Sequence, residues 1–436
     1  MRCFLIPLAA GLVALSGCHA KTGAPGEAPT GVNVTSGDGL AVVNWDVLPD
    51  LTYWIFFQAG DSVSVGATGS LAIRRAIAPR VVSGLTNETQ YAFAMNATHN
   101  DSSAGPLSLP VLQTPHLAGT TWIAGTPLAA TNLRDLAFNG SRFVTVGDAA
   151  TIFAGDFSYT AGAFPFTPGP QGVTQWMPPT TLPLGFASDL SSIIFTGSYV
   201  ALGTDGSVIL SGDGLTWTSY APVPAGGMRG LAYGVLNFGE GPAVYVAVGD
   251  GGAIYVNDQT LQNNWTLVPS GTTQDLTGIS LQGRHFIVTG TGGTLLASDD
   301  PRNNGFTGLT SNTTNTLRAV TFGPSSTSTS GLLYVAVGDA GTVVTSPGIT
   351  SDAAGDMDFT PPLAPPGIAQ NLRAVTVGGA AGSRFLAVGD AGAVAFSDDG
   401  ATWSSIVSLS SNRAKSLYVG GLYLGIGDAG ANDVSR

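Results

Sequence analysis

Residues 372–403 read LRAVTVGGAAGSRFLAVGDAGAVAFSDDGATW, and this stretch decides the fold. Residues 372–377 form one β-prone run and 384–388 a second. Residues 389–392, Gly-Asp-Ala-Gly, make a tight turn, because glycine reaches φ > 0 without steric cost. Residues 393–397 and 402–407 supply a third and a fourth run, the last opening on Trp403. The same block recurs along the chain. Its glycines fall at 147, 203, 249, 290, 338, 389 and 427, at intervals of 56, 46, 41, 48, 51 and 38 residues. A period of that size, filled by four short strands, implies the blades of a β-propeller. Aromatic residues close the copies at Trp176, Trp217, Trp265, Phe306, Phe359 and Trp403. The last copy, 416–435, stops after its third strand and has none. Trp122, just ahead of the first copy, is the missing residue, so an N-terminal strand is expected to complete the final blade and leave no free sheet edge.

Composition agrees with an all-β chain. Gly is 61 of 436 residues, and each Gly in a helix costs ~1 kcal/mol relative to Ala, so long helices are excluded. Hydrophobic residues at 44% exclude disorder as the main state. A net charge of −12 argues against a general nucleic-acid binder.

Residues 1–17 carry a positive start and an apolar run too short for a comfortable membrane span, the proportions of a signal peptide. The run ends in Leu15-Ser16-Gly17-Cys18, which resembles the lipobox of bacterial lipoproteins. That resemblance implies cleavage before Cys18, a lipid on Cys18, and residence in a bacterial cell envelope, at the outer membrane or cell surface. Residues 18–27 read as a flexible tether. Across 28–115 short β-runs alternate with turns. Leu85 lies six residues before Tyr91 across a polar turn, and Trp45 ends an earlier run. This pattern resembles the tyrosine corner and core Trp of fibronectin type III domains, and implies a β-sandwich in which all three residues are core. The propeller would then occupy 116–436.

Two copies contain Ser-x-Asp-Gly-x-Thr-Trp: Ser211, Asp213 and Trp217, then Ser397, Asp399 and Trp403. These are similar to Asp-boxes (BNR repeats), one residue shorter than the usual form. Asp-boxes occur in sialidases, sortilin-type receptors and photosystem II assembly factors, and the Leu-Arg-Ala-Val opening with Val-Gly-Asp-x-Gly is most similar to the last group. Physically the box is a folding device, its Asp accepting backbone amides in a turn and its Trp packing between blades.

Five copies open their first strand with a base: Arg134, Arg229, Arg318, Arg373 and Lys415. The same five carry an acid after the turn glycine: Asp148, Asp250, Asp339, Asp390 and Asp428. The other two have Ser191 and Thr277 in the first place and Thr204 and Thr291 in the second. An antiparallel hairpin brings the two places together, so each base is expected to meet its own blade's Asp near the axis. Two readings stay open. The ring is either a set of structural ion pairs or a face whose guanidinium groups bind an acidic peptide or a glycan.

Catalysis is not expected. A sialidase-like site needs an Arg triad, a Tyr–Glu pair and an acid, yet Phe-Arg-Ile-Pro is absent and Glu240 is the one Glu after residue 116. The four His residues are scattered, so no metal site is expected, and nothing calls for a cofactor. The leading expectation is a lipid-anchored binding or scaffolding protein, assembly-factor-like, with a protein partner in the envelope and contact with the membrane through its anchor. A glycan-binding surface protein and a divergent glycoside hydrolase are the alternatives.

Overall fold

The computed structural model describes residues 23–99, 101, 103–157, 176–236, 241–262, 264–282, 285–303, 305–328, 330–347, 357–363, 365–379, 382–407 and 411–435. The signal segment, Cys18 and the start of the tether fall outside them. The chain divides into two compact units, one of Met1–Val32, Trp45–Ala78 and Tyr91–Leu112, the other of Asn33–Asn44, Pro79–Gln90 and Gln113–Arg436.

The first unit is built on a four-stranded antiparallel sheet. Its order is β4 (Leu71–Ala76), β3 (Thr52–Ala59), β6 (Tyr91–Thr98) and β7 (Val111–Gln113). Ile55, Phe93 and Met95 are its largest fully buried side chains, and Trp45 packs 5.4 Å from Tyr53 between ring centres.

The second unit opens with a three-stranded sheet of β1 (Asn33–Gly37), β2 (Leu40–Asn44) and β5 (Arg80–Ser83). Leu85 is buried beside it, its amide donating to the Gly39 carbonyl at 2.9 Å. Among the described residues seven antiparallel sheets follow. The first holds β9 (Leu133–Phe138), β10 (Arg142–Gly147) and β11 (Ile152–Asp156). The second holds β12 (Leu190–Phe195), β13 (Tyr199–Gly203), β14 (Val208–Ser211) and β15 (Thr218–Tyr220). The third holds β16 (Met228–Val235), β17 (Ala243–Gly249), β18 (Ile254–Asp258) and β19 (Thr266–Leu267). The fourth holds β20 (Leu276–Gln282), β21 (His285–Gly290), β22 (Leu295–Ser298) and β23 (Thr307–Leu309). The fifth holds β24 (Leu317–Pro324), β25 (Leu332–Gly338) and β26 (Val343–Pro347). The sixth holds β27 (Leu372–Gly378), β28 (Arg384–Gly389), β29 (Ala393–Ser397) and β30 (Ser404–Val407). The seventh joins β31 (Arg413–Val419), β32 (Leu422–Gly427) and β33 (Asn432–Ser435) to β8 (Trp122–Ala124).

The first strand of each sheet packs against the first strand of the next, and β31 packs against β9, which closes the ring. Second strands are buried on both faces, which is why Tyr-Val-Ala-Leu-Gly and Phe-Leu-Ala-Val-Gly run without polar interruption. Between neighbouring sheets the apolar side chains merge into shared clusters; Trp217 sits with Val144 and Ala154 of the preceding sheet, and Trp403 with Leu333 and Val335.

The turn after each second strand fixes the inner wall. In all seven sheets the amide following the turn glycine donates to the carbonyl just ahead of the first strand: Asp148 to Asn132, Thr204 to Asp189, Asp250 to Gly227, Thr291 to Asp275, Asp339 to Thr316, Asp390 to Asn371 and Asp428 to Asn412, at 2.8–3.1 Å. A Cβ on Gly249 would lie 2.6 Å from the Gly227 oxygen, so this close approach requires glycine. The next residue of the first strand is then skipped by the ladder as a β-bulge. Arg134, Ser191, Arg229, Thr277, Arg318, Arg373 and Ala414 occupy the seven bulges.

Closure falls on the seventh sheet, where Ser435 pairs with Trp122 and Val434 with Ile123. There the first strand opens on Arg413 instead of the Leu or Met of the other six. Arg413 is 1% exposed, bonds Asp433 at 2.7 Å, and stacks over the Trp122 ring at 4.4 Å. Burial pulls the guanidinium down and pushes the Asp433 carboxyl up, and their mutual attraction opposes both.

Removing one member of this pair leaves a buried charge, which costs about 3–5 kcal/mol. Arg413→Ala is therefore expected to unfold at markedly lower denaturant than the native chain. The double variant Arg413→Leu with Asp433→Ala, which installs the side chains that the sixth sheet has at Leu372 and Ala395, is expected to recover most of that loss. Chemical denaturation of the three chains decides it.

Candidate functional site

The bulged residues converge on a cavity of about 560 Å³ at one end of the ring axis. Arg134, Arg229, Arg318 and Arg373 line it, with Ser191, Thr277 and Ala414 completing the circle. A bulge residue has no ladder partner, so its side chain is free to lean toward the axis while its neighbours stay in the sheet.

Each of these arginines meets the turn Asp of its own sheet through Nε: Arg134 with Asp148, and Arg229, Arg318 and Arg373 at 2.5 Å from Asp250, Asp339 and Asp390. The terminal nitrogens are used less. Arg373 Nη1 also reaches Asp428 at 3.1 Å, and Arg229 Nη2 stands 3.9 Å from Asp275. Those of Arg134 and Arg318 have no hydrogen-bond acceptor among the described residues. In Arg134 and Arg318 the carboxylate thus holds the guanidinium group through Nε, and the two terminal nitrogens remain for a ligand.

Lys415 departs from the expected pattern. The ladder pairs it with Ile426 and puts Ala414 in the bulge, so Lys415 is the register equivalent of Asp135, one place further along. Its Nζ lies 3.4 Å from Asp135 Oδ1, in a second chamber of about 540 Å³ deeper along the first strands. Asp428 is therefore served by Arg373 from the neighbouring sheet and by Asn412 Nδ2 at 2.7 Å. Asp135 has its oxygens filled by the amides of Leu136 and Ile193 and the Ser192 hydroxyl, each at 2.9 Å.

Sequence reasoning missed a set of brackets between sheets. The residue ahead of a first strand accepts the turn amide of the preceding sheet: Asp189 from Ala149, Asp275 from Gly251, Asn371 from Ala340, Asn412 from Ala391 and Asn132 from Ala429, at 2.7–3.1 Å. Asn132, Asn371 and Asn412 also donate to their own sheet's Asp at 2.7–3.0 Å. The signal was present as Asn or Asp directly before the Leu that opens the first strand, and Asn412 before Arg413 marks the register that Lys415 obscured. A second missed set lies across the hairpins of second and third strands at a constant spacing of 14 residues: Arg142 with Asp156, His285 with Asp299 and Arg384 with Asp398. These stand at the far end of their sheets from the cavity, and their partners occupy them. No cluster of His, Cys, Asp and Glu suited to a metal ion occurs among the described residues.

The two Asp-boxes are built alike. Asp213 Oδ1 accepts the amides of Leu215 and Thr216 at 2.8 Å, and Asp399 Oδ1 those of Ala401 and Thr402 at 2.8 and 2.7 Å. Trp217 and Trp403 donate from Nε1 to Gly214 and Gly400. The Thr216 amide, with help from Leu215 and Ser211, holds the Asp213 carboxyl below its usual range against burial. Burial pushes Asp399 up, but the amides of Thr402 and Ala401 and the Ser397 hydroxyl outweigh it, and the net direction is again down.

Sheets closed around an axis, with bulged first strands meeting at its mouth, define a β-propeller. No protein-family model and no curated protein matches the chain. Among solved structures the chain is similar to YCF48 bound to D1 peptide, at 17% identity and a TM-score of 0.51, over 72% of this chain and 97% of that one. It is also similar to YCF48 from Cyanidioschyzon merolae, at 15% identity and a TM-score of 0.51, over 73% of this chain and 99% of that one. These likenesses concern the fold alone, which is a β-propeller.

Two outcomes are expected. Arg318→Ala lowers the thermal midpoint by the equivalent of roughly 1 kcal/mol, the upper range for a half-exposed pair, whereas Ser191→Ala in an equivalent bulge leaves it unchanged. Calorimetry of both variants checks this. A depressed carboxyl contributes stability that is complete above the unfolded value of about 3.9 and is lost as pH falls through the folded value. The double variant Asp213→Asn with Asp399→Asn is therefore less stable than the native chain at neutral pH, and loses less between about pH 5 and about pH 3.

Proposed function

We propose that the chain is a lipid-anchored protein of a bacterial cell envelope, in which a seven-bladed propeller binds a carboxylate-rich peptide segment of a protein partner at its axial mouth. The anchor is Cys18, the tether is 18–27, and a fibronectin type III-like sandwich holds the propeller away from the lipid. The strand orders β1-β2-β5 and β4-β3-β6-β7 and the buried Trp45 and Leu85 support the sandwich. Seven sheets between Trp122 and Ser435 support the blade count.

The observation that carries the binding reading is the one-edged grip on the arginines. Were the ring only structural, its acids would be expected to grip each fork by two nitrogens, as Asp156 and Asp398 do with Nε and Nη2 of Arg142 and Arg384. At the mouth the terminal nitrogens of Arg134 and Arg318 are left for a carboxylate. A fold neighbour that carries a bound peptide makes a peptide the favoured ligand over a glycan. A glycan site would need exposed aromatic platforms, and Trp122, Trp217, Trp265 and Trp403 are all buried. Catalysis forms no part of this reading, because the carboxylates nearest the mouth are spent on arginine side chains and turn amides.

The test is fluorescence anisotropy with a labelled peptide rich in Asp and Glu. Binding is expected to weaken at least tenfold in the Arg134→Gln, Arg318→Gln double variant and to fall with added salt. Arg302→Gln, which removes an outer arginine paired with Asp300, is expected to leave it unchanged. Equal affinity in all three chains would overturn the assignment of the mouth.

A further inference from the structure

The first unit ends in an apolar tip. In its antiparallel sheet Thr52 is paired with Thr98, and Tyr53 with Ala76, so the start of β3 and the end of β4 lie at the same end. The loop ahead of β3 presents Val47 and Leu48, which are 64% and 54% exposed, with Pro49 beside them. The loop after β4 presents Ile77, which is 80% exposed. Three large aliphatic side chains on two adjacent loops are held open to solvent by a rigid sheet. An isolated exposed Leu needs no explanation, whereas a grouped apolar tip marks a contact surface.

The N-terminal segment comes in at this same end. The Asp46 amide donates to the Thr30 carbonyl at 3.0 Å, and the Thr30 hydroxyl donates to Asp46 at 2.8 Å. Cys18 is therefore twelve residues from a point fixed beside Val47. At ~3.3 Å per extended residue, the tip stays within about 40 Å of Cys18 and reaches it when the tether relaxes. The opposite end of the sheet, where β3 ends and β6 begins, carries Val65 and Leu71 and lies a sheet's length from Thr30.

We infer that Val47, Leu48 and Ile77 dip into the lipid surface and give the protein a second, shallow membrane contact beside its anchor. The inference rests on the lipid-anchored reading above. It commits to a neutral lipid surface, because the nearby charged groups, Asp46, Asp50, Arg74, Arg80 and the Arg75–Asp101 pair, balance and give anionic headgroups no basic cluster to attract them. Apolar side chains at the headgroup boundary add to an acyl chain as a second signal and fix how the domain stands on the membrane.

The experiment uses the full acylated chain with a single environment-sensitive thiol label, at Leu48→Cys or at Val65→Cys. Each is mixed with neutral phosphatidylcholine–phosphatidylethanolamine vesicles and separated by flotation. Flotation of both with a blue shift of the label at position 48 alone is the expected result. Flotation with no shift at position 48, or with equal shifts at both positions, overturns the tip contact while the anchor stands. Failure to float overturns the anchor and the tip contact together. Leu48→Asp with Ile77→Asp, on opposite loops, is expected to float as the native chain does and to abolish the shift of a label at Val47→Cys.

Discussion

Everything at the axial mouth depends on one hydrogen bond, repeated in each sheet. The amide after the turn glycine donates to the carbonyl just ahead of the first strand. This pulls two backbones so close that a Cβ has no room on the glycine. It also draws the start of the first strand toward the turn, and the ladder resumes only after skipping a residue. Three features that look separate in the sequence are thus consequences of one contact: the glycine, the bulge and an inner side chain aimed at the axis. The Asp beside the glycine exploits the arrangement, because its carboxylate stands opposite the bulge. Where the Asp is absent the bulge residue is Ser191 or Thr277, since an arginine there would lack a partner to hold it.

The electrostatic character of the mouth follows from where those charges sit. The cavity wall has four guanidinium groups, with only Asp250 and Asp428 among the turn acids beside them. Asp148, Asp339 and Asp390 stand behind their arginines. A ligand therefore meets cations first, although acids outnumber bases in the chain. The acids do not cancel the site. They hold long side chains in one orientation before a ligand arrives, which lowers the ordering cost of binding.

The ring was legible because its signals are local and repeated. Glycine turns, second strands without polar residues and aromatics that close each copy can be found by laying the seven copies over one another. Closure was legible for a different reason: the last copy lacks an aromatic and the chain has a spare Trp122 before the first. What the residues could not reveal was the register of a single strand. Lys415 resembles the bulge arginines in charge, but register is set by backbone pairing, and the bracket from Asn412 to Ala391 places Ala414 in the bulge instead. The grip through Nε was not legible either, since it depends on side-chain direction within the bulge and not on which residue types are present. The pairs at a spacing of 14 residues were visible in the sequence, but they lie at the other end of the sheets and carry no message about the mouth.

The seventh sheet differs from the rest because it alone must capture a strand from the other end of the chain. A Leu at position 413 would pack, but it would not discriminate Trp122 from any other apolar residue. Arg413 does, by bonding Asp433 and stacking on the Trp122 ring at once. Specificity of closure is obtained with a buried pair whose desolvation is costly. The consequence reaches the mouth. With Ala414 in its bulge, the seventh sheet adds no arginine, and its Asp428 borrows Arg373 from the sixth. The circle of guanidinium groups, already interrupted at Ser191 and Thr277, is thereby broken a third time between Arg373 and Arg134. A ring of equal cations would hold an extended ligand in any rotation about the axis. A broken one favours the rotation in which the ligand's carboxylates face the arginines and its uncharged side chains cross the gap at Ala414.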